Sequence, residues 1–212
     1  MDQAVFKKKV IPTFTLSIIV SAIGAFFGLL FADIFTNGLV MIGLFIVEIA
    51  LIVLLYTKFK NLPLLFLFNL VAGLTLTQIL ITAVSVNPIL IPEALIITSI
   101  VFIALSGYAY FSKKDFTFLG GILFVLLIIG IVASLGIFAA SYFTTIDLSL
   151  ANIALSAFFT LLFSAWVLYD MSSIMRKYPN EAYIEAVVAL YIDFINLFVN
   201  ILFLLIGMNR RD

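Results

Sequence analysis

Residues 190–200 read LYIDFINLFVN, and this stretch decides the fold. It lies inside an apolar run from about Tyr183 to Gly207, which is longer than the roughly 20 residues that a helix needs to cross a bilayer. Asp193, Asn196 and Asn200 stand at positions i, i+3 and i+7, so a helix places all three on one face. Because a carboxylate that faces lipid is costly, this polar face should point toward other helices. The sequence therefore predicts a membrane helix around which the rest of a bundle packs.

The composition is that of a polytopic membrane protein. Of the 212 residues, 65% are hydrophobic and 10% are charged, whereas a soluble globular chain is about half apolar and about a quarter charged. Histidine and cysteine are absent, which excludes zinc sites built on those ligands, disulfides, and thiol or imidazole catalysis. We expect a single polytopic membrane domain over residues 1–212. We expect it to be a monomer in contact with lipid, without a cofactor or nucleic acid.

Seven apolar segments are each about long enough to span the membrane, and the connections between them are short. The expected fold class is thus an all-α membrane protein, a seven-transmembrane-helix bundle with the C-terminal helix central. Gly24 and Gly28 form a Gly-x-x-x-Gly spacing that favours a close helix contact, and Asn69 is expected to form an interhelical hydrogen bond. The predicted spans are Val10–Ala32, Leu39–Tyr56, Pro63–Val84, Pro92–Phe111, Phe116–Phe143, Leu148–Met175 and Tyr183–Gly207.

The basic residues predict the orientation. With seven spans, those before Arg210 all fall on one side, which places the N-terminus in the cytoplasm and the C-terminus outside. The terminal pair Arg210 and Arg211 leaves a second arrangement open, with six full spans, a re-entrant last segment and both ends in the cytoplasm. The basic residues on the shared side are Lys7, Lys8, Lys9, Lys58, Lys60, Lys113, Lys114, Arg176 and Lys177.

Acidic residues within or beside the spans are the candidates for chemistry. Glu185 stands near the start of the last helix, where a solvated interfacial carboxylate is favourable. Glu48 lies in the middle of the second span, roughly 15 Å before Lys58 along a helix. Two interpretations of Glu48 stay open: it lines an ion pathway, or it is a neutral acid bonded to a backbone carbonyl.

Asp170 and Asp193 lie in the same half of two consecutive helices. Asp170 comes shortly before Arg176 at the end of the sixth span, and the connection to the seventh span is short. Two carboxylic acids at this depth can meet, and they would then share a proton and titrate as one unit. The alternative is that they are two unrelated polar anchors between helices.

The residues around these two acids resemble the Bax-inhibitor family, also called the transmembrane BAX inhibitor motif family. The resemblance rests on Leu168-Tyr169-Asp170 and on residues 189–198, ALYIDFINLF, while the span pattern is compatible over nearly the whole chain. The resemblance implies that the chain is a bacterial-type member, with a seven-helix bundle around its last helix. The resemblance implies a pH-sensitive calcium leak in which Asp170 and Asp193 form the proton-sensing pair near the cytoplasmic mouth. It also places the family's second-helix acid at Glu48.

One position departs from the bacterial pattern. Bacterial relatives carry an arginine near the cytoplasmic end of the second helix, where it latches onto the aspartate of the sixth. Here that position is Phe59, flanked by Lys58 and Lys60. A lysine latch would lack the bidentate fork of arginine.

The expected function is a passive calcium pathway in the cell membrane, and not an enzyme activity. Calcium prefers oxygen ligands, and the spans supply them as Asp170 and Asp193, with Glu48, Asn196 and Asn200 along the pathway.

Three alternative functions stay open. The first is a proton-coupled calcium or cation exchanger. The second is an intramembrane aspartyl protease, which Tyr169-Asp170 fits but Tyr191-Ile192-Asp193 does not, because those enzymes have Gly-x-Gly-Asp there. The third is a regulatory membrane protein that acts through protein partners.

Overall fold

The chain forms seven helices that are long and apolar enough to cross a membrane, in a computed structural model that describes residues 1–57 and 59–210. Those residues contain no strand. The predicted all-α class and the seven spans are therefore confirmed. The helices are α1 (Gln3–Leu30), α2 (Gly38–Thr57), α3 (Leu62–Val86), α4 (Leu90–Phe111), α5 (Thr117–Phe143), α6 (Ser149–Arg176) and α7 (Asn180–Asn209).

The first helix begins earlier than the hydropathy pattern predicts. Its first turns include a π-helical stretch, Phe6–Val10, which carries three lysines. The lysines are exposed, whereas Phe6 and Val10 are buried at i and i+4. The buried apolar side chains on one side of this turn thus explain why the helix already includes residues before the predicted start at Val10.

The third helix is interrupted near its middle, a feature that the apolar pattern of the sequence does not predict. Regular α-helix stops at Thr75 and resumes at Thr77, and the N–H of Leu76 donates to the Gly73 carbonyl at 3.2 Å. The hydroxyls of Thr75 and Thr77 donate to the carbonyls of Ala72 and Leu74 at 2.8 and 2.6 Å. Threonine hydroxyls can satisfy carbonyls at such an interruption, which makes it tolerable at membrane depth.

Contacts divide the chain into two compact units. The first comprises Met1–Thr82 and Ile174–Ile192, and the second comprises Ala83–Ser173 and the chain from Asp193 onward. Helix α7 contributes to both units. In its most apolar 18-residue stretch 61% of the residues are buried, whereas the corresponding share in the other six helices is 11–50%. The central place of the C-terminal helix and the single domain over residues 1–212 stay predictions.

The regular α-helical part of α7 runs without a break from Tyr183 to Asn209, which is 27 residues. At 1.5 Å per residue this is about 40 Å, more than the roughly 30 Å of bilayer hydrocarbon. The geometry favours a full crossing over the re-entrant arrangement.

Within the first unit, α1 and α3 approach each other closely at glycines. A Cβ atom on Gly24 would collide with the Leu70 carbonyl oxygen and lie 3.2 Å from the Gly73 Cα. A Cβ on Gly28 would collide with Thr77 Oγ1. The close contact expected from the Gly24–Gly28 spacing is thus confirmed. The predicted hydrogen bond of Asn69 is wrong, since both of its side-chain polar atoms are buried without a protein partner in the described chain.

Candidate functional site

The structure brings Asp170 and Asp193 together. Asp170 lies about 9 Å before the end of α6 and Asp193 about 15 Å after Tyr183, counted along the helices. Only a short connection separates α6 from α7, and the two carboxyl groups lie close enough to interact electrostatically. Their meeting follows from the short connection and from their shared depth.

A hydrogen bond between the two carboxyl groups would require a proton. An ionised carboxylate only accepts hydrogen bonds, so two of them cannot bond to each other unless one is protonated. Asp193 is 2% exposed, and its Oδ2 has no hydrogen-bond partner among the residues that the structure describes. Removing the proton would leave two like charges in a nearly dry place. The arrangement can therefore store one exchangeable proton, while its role as a pH sensor stays a prediction.

Neighbouring residues of the second unit hold the two helices in place. The Oγ of Ser172 accepts a hydrogen bond from the Phe116 N–H at 3.0 Å and donates to Asp115 at 3.2 Å, which fixes α6 to the segment before α5. Phe194 packs edge-on against Phe102 of α4, with 5.4 Å between the ring centroids. No short sequence motif predicts these contacts, because the partner residues are distant in sequence.

The two asparagines of the polar stripe follow Asp193 along α7. The side-chain amide of Asn200 donates to the backbone carbonyl of Asn196 at 2.8 Å, so its nitrogen is engaged with its own helix. Asn200 is buried and Asn196 is partly buried. Their place in an ion pathway stays a prediction.

Glu48 contacts the interruption of α3. It is partly buried, and its Oε2 lies 3.2 Å from the Oγ1 of Thr75, which can donate to it. The Thr75 hydroxyl has one proton, however, and the Ala72 carbonyl is nearer at 2.8 Å. A protonated Glu48 would satisfy all three groups by donating to Thr75. The partner is thus a threonine hydroxyl rather than a backbone carbonyl, and the ion-pathway role stays a prediction.

Replacing Glu48 by glutamine separates the two interpretations. If Glu48 lines a cation pathway, Glu48→Gln should lower calcium flux into liposomes several-fold, since the charge is lost. Its melting temperature should stay within about 3 °C, because the amide keeps the size and still donates to Thr75. Thr75→Val is the matched control, as it removes the hydroxyl and keeps the carboxyl. Unchanged flux of Glu48→Gln from about pH 5 to 8, a range that brackets shifted carboxyl titration, would assign Glu48 to structure.

Glu185 differs from its expected state. Its side chain is 8% exposed and forms an ion pair with Lys60, whose side chain is 49% exposed. The expectation of a solvated carboxylate is therefore wrong, because a cation from the distant α2–α3 connection covers it. The other carboxylate oxygen, Oε2, is buried and has no partner in the described chain.

The predicted latch onto Asp170 stays a prediction. Lys60 is engaged with Glu185, and Lys58 lies outside the described residues. Within the described residues, 1–57 and 59–210, no group of three or more carboxylate, histidine or cysteine side chains is placed to hold a metal ion.

Comparison with known proteins gives one family. The family model described as "Inhibitor of apoptosis-promoting Bax1" matches residues 3–211. An uncharacterized protein of Campylobacter jejuni is 39% identical over 99% of this chain and 91% of its own length. Bax inhibitor 1 of Schizosaccharomyces pombe is 38% identical over 79% of this chain, and protein lifeguard 4 of Mus musculus is 36% identical over 74%.

The matched region covers only 60% of the yeast protein and 62% of the mouse protein. The match to the Campylobacter protein, by contrast, is nearly full-length on both sides. With the seven apolar helices, these matches show that the chain is a multi-pass membrane protein and belongs to the Bax inhibitor family.

Proposed function

We propose that this protein is a passive, pH-sensitive calcium leak of the cell membrane, gated by protonation of Asp170 and Asp193. The observation that supports this most is the closeness of the Asp170 carboxyl group to the buried carboxyl group of Asp193. At low pH the pair is filled with protons and has little hold on a cation. At high pH it carries net negative charge and attracts either calcium or a basic side chain such as Lys60.

The available ligands suit passage better than storage. Tight calcium sites use six to eight oxygen ligands, and the described chain has no cluster of three acidic groups. Asp170 and Asp193 would provide a weak calcium site, with Glu48, Asn196 and Asn200 as further oxygen donors along the way. Weak binding is what permeation needs, because an ion that enters must also leave. Protons, calcium and membrane lipid are then the partners of a monomer without a cofactor.

The test is calcium flux into dye-loaded liposomes that contain the purified protein, from about pH 5 to 8, a range that brackets shifted carboxyl titration. A leak moves calcium only down its own gradient. An exchanger would move calcium uphill when a proton gradient is imposed, with protons flowing the other way. Absence of calcium flux at every pH, relative to protein-free liposomes, would overturn the proposal. Cleavage of a transmembrane peptide in the same liposomes would instead support the protease alternative.

The proposed topology gives a separate prediction. If the N-terminus is cytoplasmic and all seven helices cross once, a cysteine at Ser112, beside Lys113, should resist a membrane-impermeant thiol reagent added to intact cells. A cysteine at Asn209 should react, because the C-terminus would then lie outside. Each variant carries a single thiol, since the chain has no cysteine. Labelling at position 112 in intact cells would show that the orientation is opposite to the one proposed.

A further inference from the structure

A second polar cluster lies between α1 and α3, apart from the acidic residues. Ser17 and Asn69 are fully buried, at 0% exposure. The Oγ of Ser17 and both the Nδ2 and Oδ1 of Asn69 lack hydrogen-bond partners in the protein over residues 1–57 and 59–210. A buried polar group left unpaired is destabilising, and most are paired with protein or ordered water.

The helix register places these side chains at the same level. A Cβ atom on Gly73 would meet the backbone of Ser21, and one on Gly28 would meet Thr77, so α1 and α3 advance in step. One turn before Ser21 stands Ser17, and one turn before Gly73 stands Asn69. Residues four apart share a helix face, so Ser17 and Asn69 belong to the same α1–α3 interface.

The chemistry of the three atoms identifies the ligand class. The amide nitrogen donates, the amide oxygen accepts, and the hydroxyl does both, and none of them carries charge. Such a set suits a small neutral molecule that both donates and accepts, whereas a cation would require anionic or more numerous oxygen ligands. A buried water typically makes about three hydrogen bonds. We propose that Ser17 and Asn69 hold a bound water between α1 and α3.

This water would extend a polar contact that is already present. The hydroxyl of Tyr191 in α7 donates to the Oγ of Ser21 at 2.7 Å, one turn from Ser17. Phe68, next to Asn69, packs edge-on against Tyr191 with 5.4 Å between ring centroids. The water would thus lie in the core of the first unit, beside a hydrogen bond that joins α1 to α7.

Stability measurements distinguish a hydrated site from a dry one. If water satisfies these groups, Ser17→Ala and Asn69→Leu should each lower the melting temperature, by about 2–5 °C. The double variant should lose less than the sum, because both changes remove the same water. If the site is dry, Asn69→Leu removes an unpaired amide, and a rise in melting temperature would overturn the proposal.

Millisecond X-ray radiolysis of the wild-type protein gives a direct readout. A bound water is a local source of hydroxyl radicals, so Phe68 and Tyr191, each 1% exposed, should be oxidised despite their burial. Oxidation of both should fall several-fold in the Ser17→Ala/Asn69→Leu variant. Thr98→Val, which removes a buried hydroxyl in the second unit, should leave it unchanged. Phe68 and Tyr191 that stay unmodified in the wild type, or are equally modified in the double variant, would show that no water is held there.

Discussion

The Asp170→Asn/Asp193→Asn double variant is expected to lose the pH dependence of calcium flux between about pH 5 and 8, the range where a perturbed carboxyl pair would titrate. The two carboxyl groups lie close together, and such a pair is expected to share a proton in the wild type. Two amides keep the size and the hydrogen-bonding capacity of the pair but have no proton to release in this range. The measurement is flux into liposomes as a function of pH, for the wild type, both single variants and the double variant.

The single variants should each move the midpoint of the flux profile to lower pH. An asparagine amide donates permanently to the remaining carboxylate, and a second charge no longer repels it. Asp170→Asn should in addition abolish any latch onto Asp170. Because the two groups act as one unit, the effect of the double variant should differ from the sum of the singles.

Glu93→Gln is the matched control for these substitutions. Glu93 is an exposed carboxylate in the first turn of α4, so its removal should leave the profile unchanged. A double variant that keeps the wild-type profile would show that Asp170 and Asp193 are not the sensor. A wild type without pH-dependent flux would instead contradict the proposed function as a whole.

The elements of this fold are predictable because the bilayer restricts them. Each crossing needs a long apolar run, and most predicted bounds agree with the observed helices to within two residues. The contact between Asp170 and Asp193 follows from simple geometry, since a short connection sets the depth of both residues. The rotation of each helix about its own axis could not be predicted from the sequence. In α2 and α5 apolar residues occupy every side of the helix, and only 11% of the residues in the most apolar 18-residue stretch are buried. The periodicity of the sequence therefore does not reveal which face packs against other helices.

The features that differ from the sequence-based predictions also depend on tertiary packing. Burial of Glu185 depends on Lys60, which reaches it from a distant connection. The interruption of α3 depends on which backbone carbonyls receive hydrogen bonds from two threonine hydroxyls. Asn69 was expected to pair across helices, yet both polar atoms of its side chain are buried without a partner among the described residues. Side-chain partners of this kind are set by tertiary packing rather than by local sequence.

At Gly73 the backbones of α1 and α3 are in close contact. Gly73→Ala should lower the melting temperature by about 6–12 °C, since overpacking a rigid site costs about 3 kcal/mol. The new Cβ would collide with the Ser21 carbonyl oxygen and lie 2.9 Å from the Ala25 nitrogen. Both are backbone atoms of α1 and cannot rotate away. The helices must therefore separate, which also disturbs the hydrogen bond from Tyr191 to Ser21.

Gly43→Ala in α2 is the matched control, because nothing lies within 4 Å of a Cβ atom built there. It adds the same methyl group, and alanine is the better helix former, so its melting temperature should be unchanged or slightly higher. Thermal unfolding in detergent, followed by fluorescence-detected size exclusion, would compare the two variants with the wild type. If Gly73→Ala unfolds at the same temperature as Gly43→Ala, α1 and α3 do not pack backbone to backbone at Gly73. A large loss confined to Gly73→Ala would instead place a rigid contact next to the interface that holds Ser17 and Asn69.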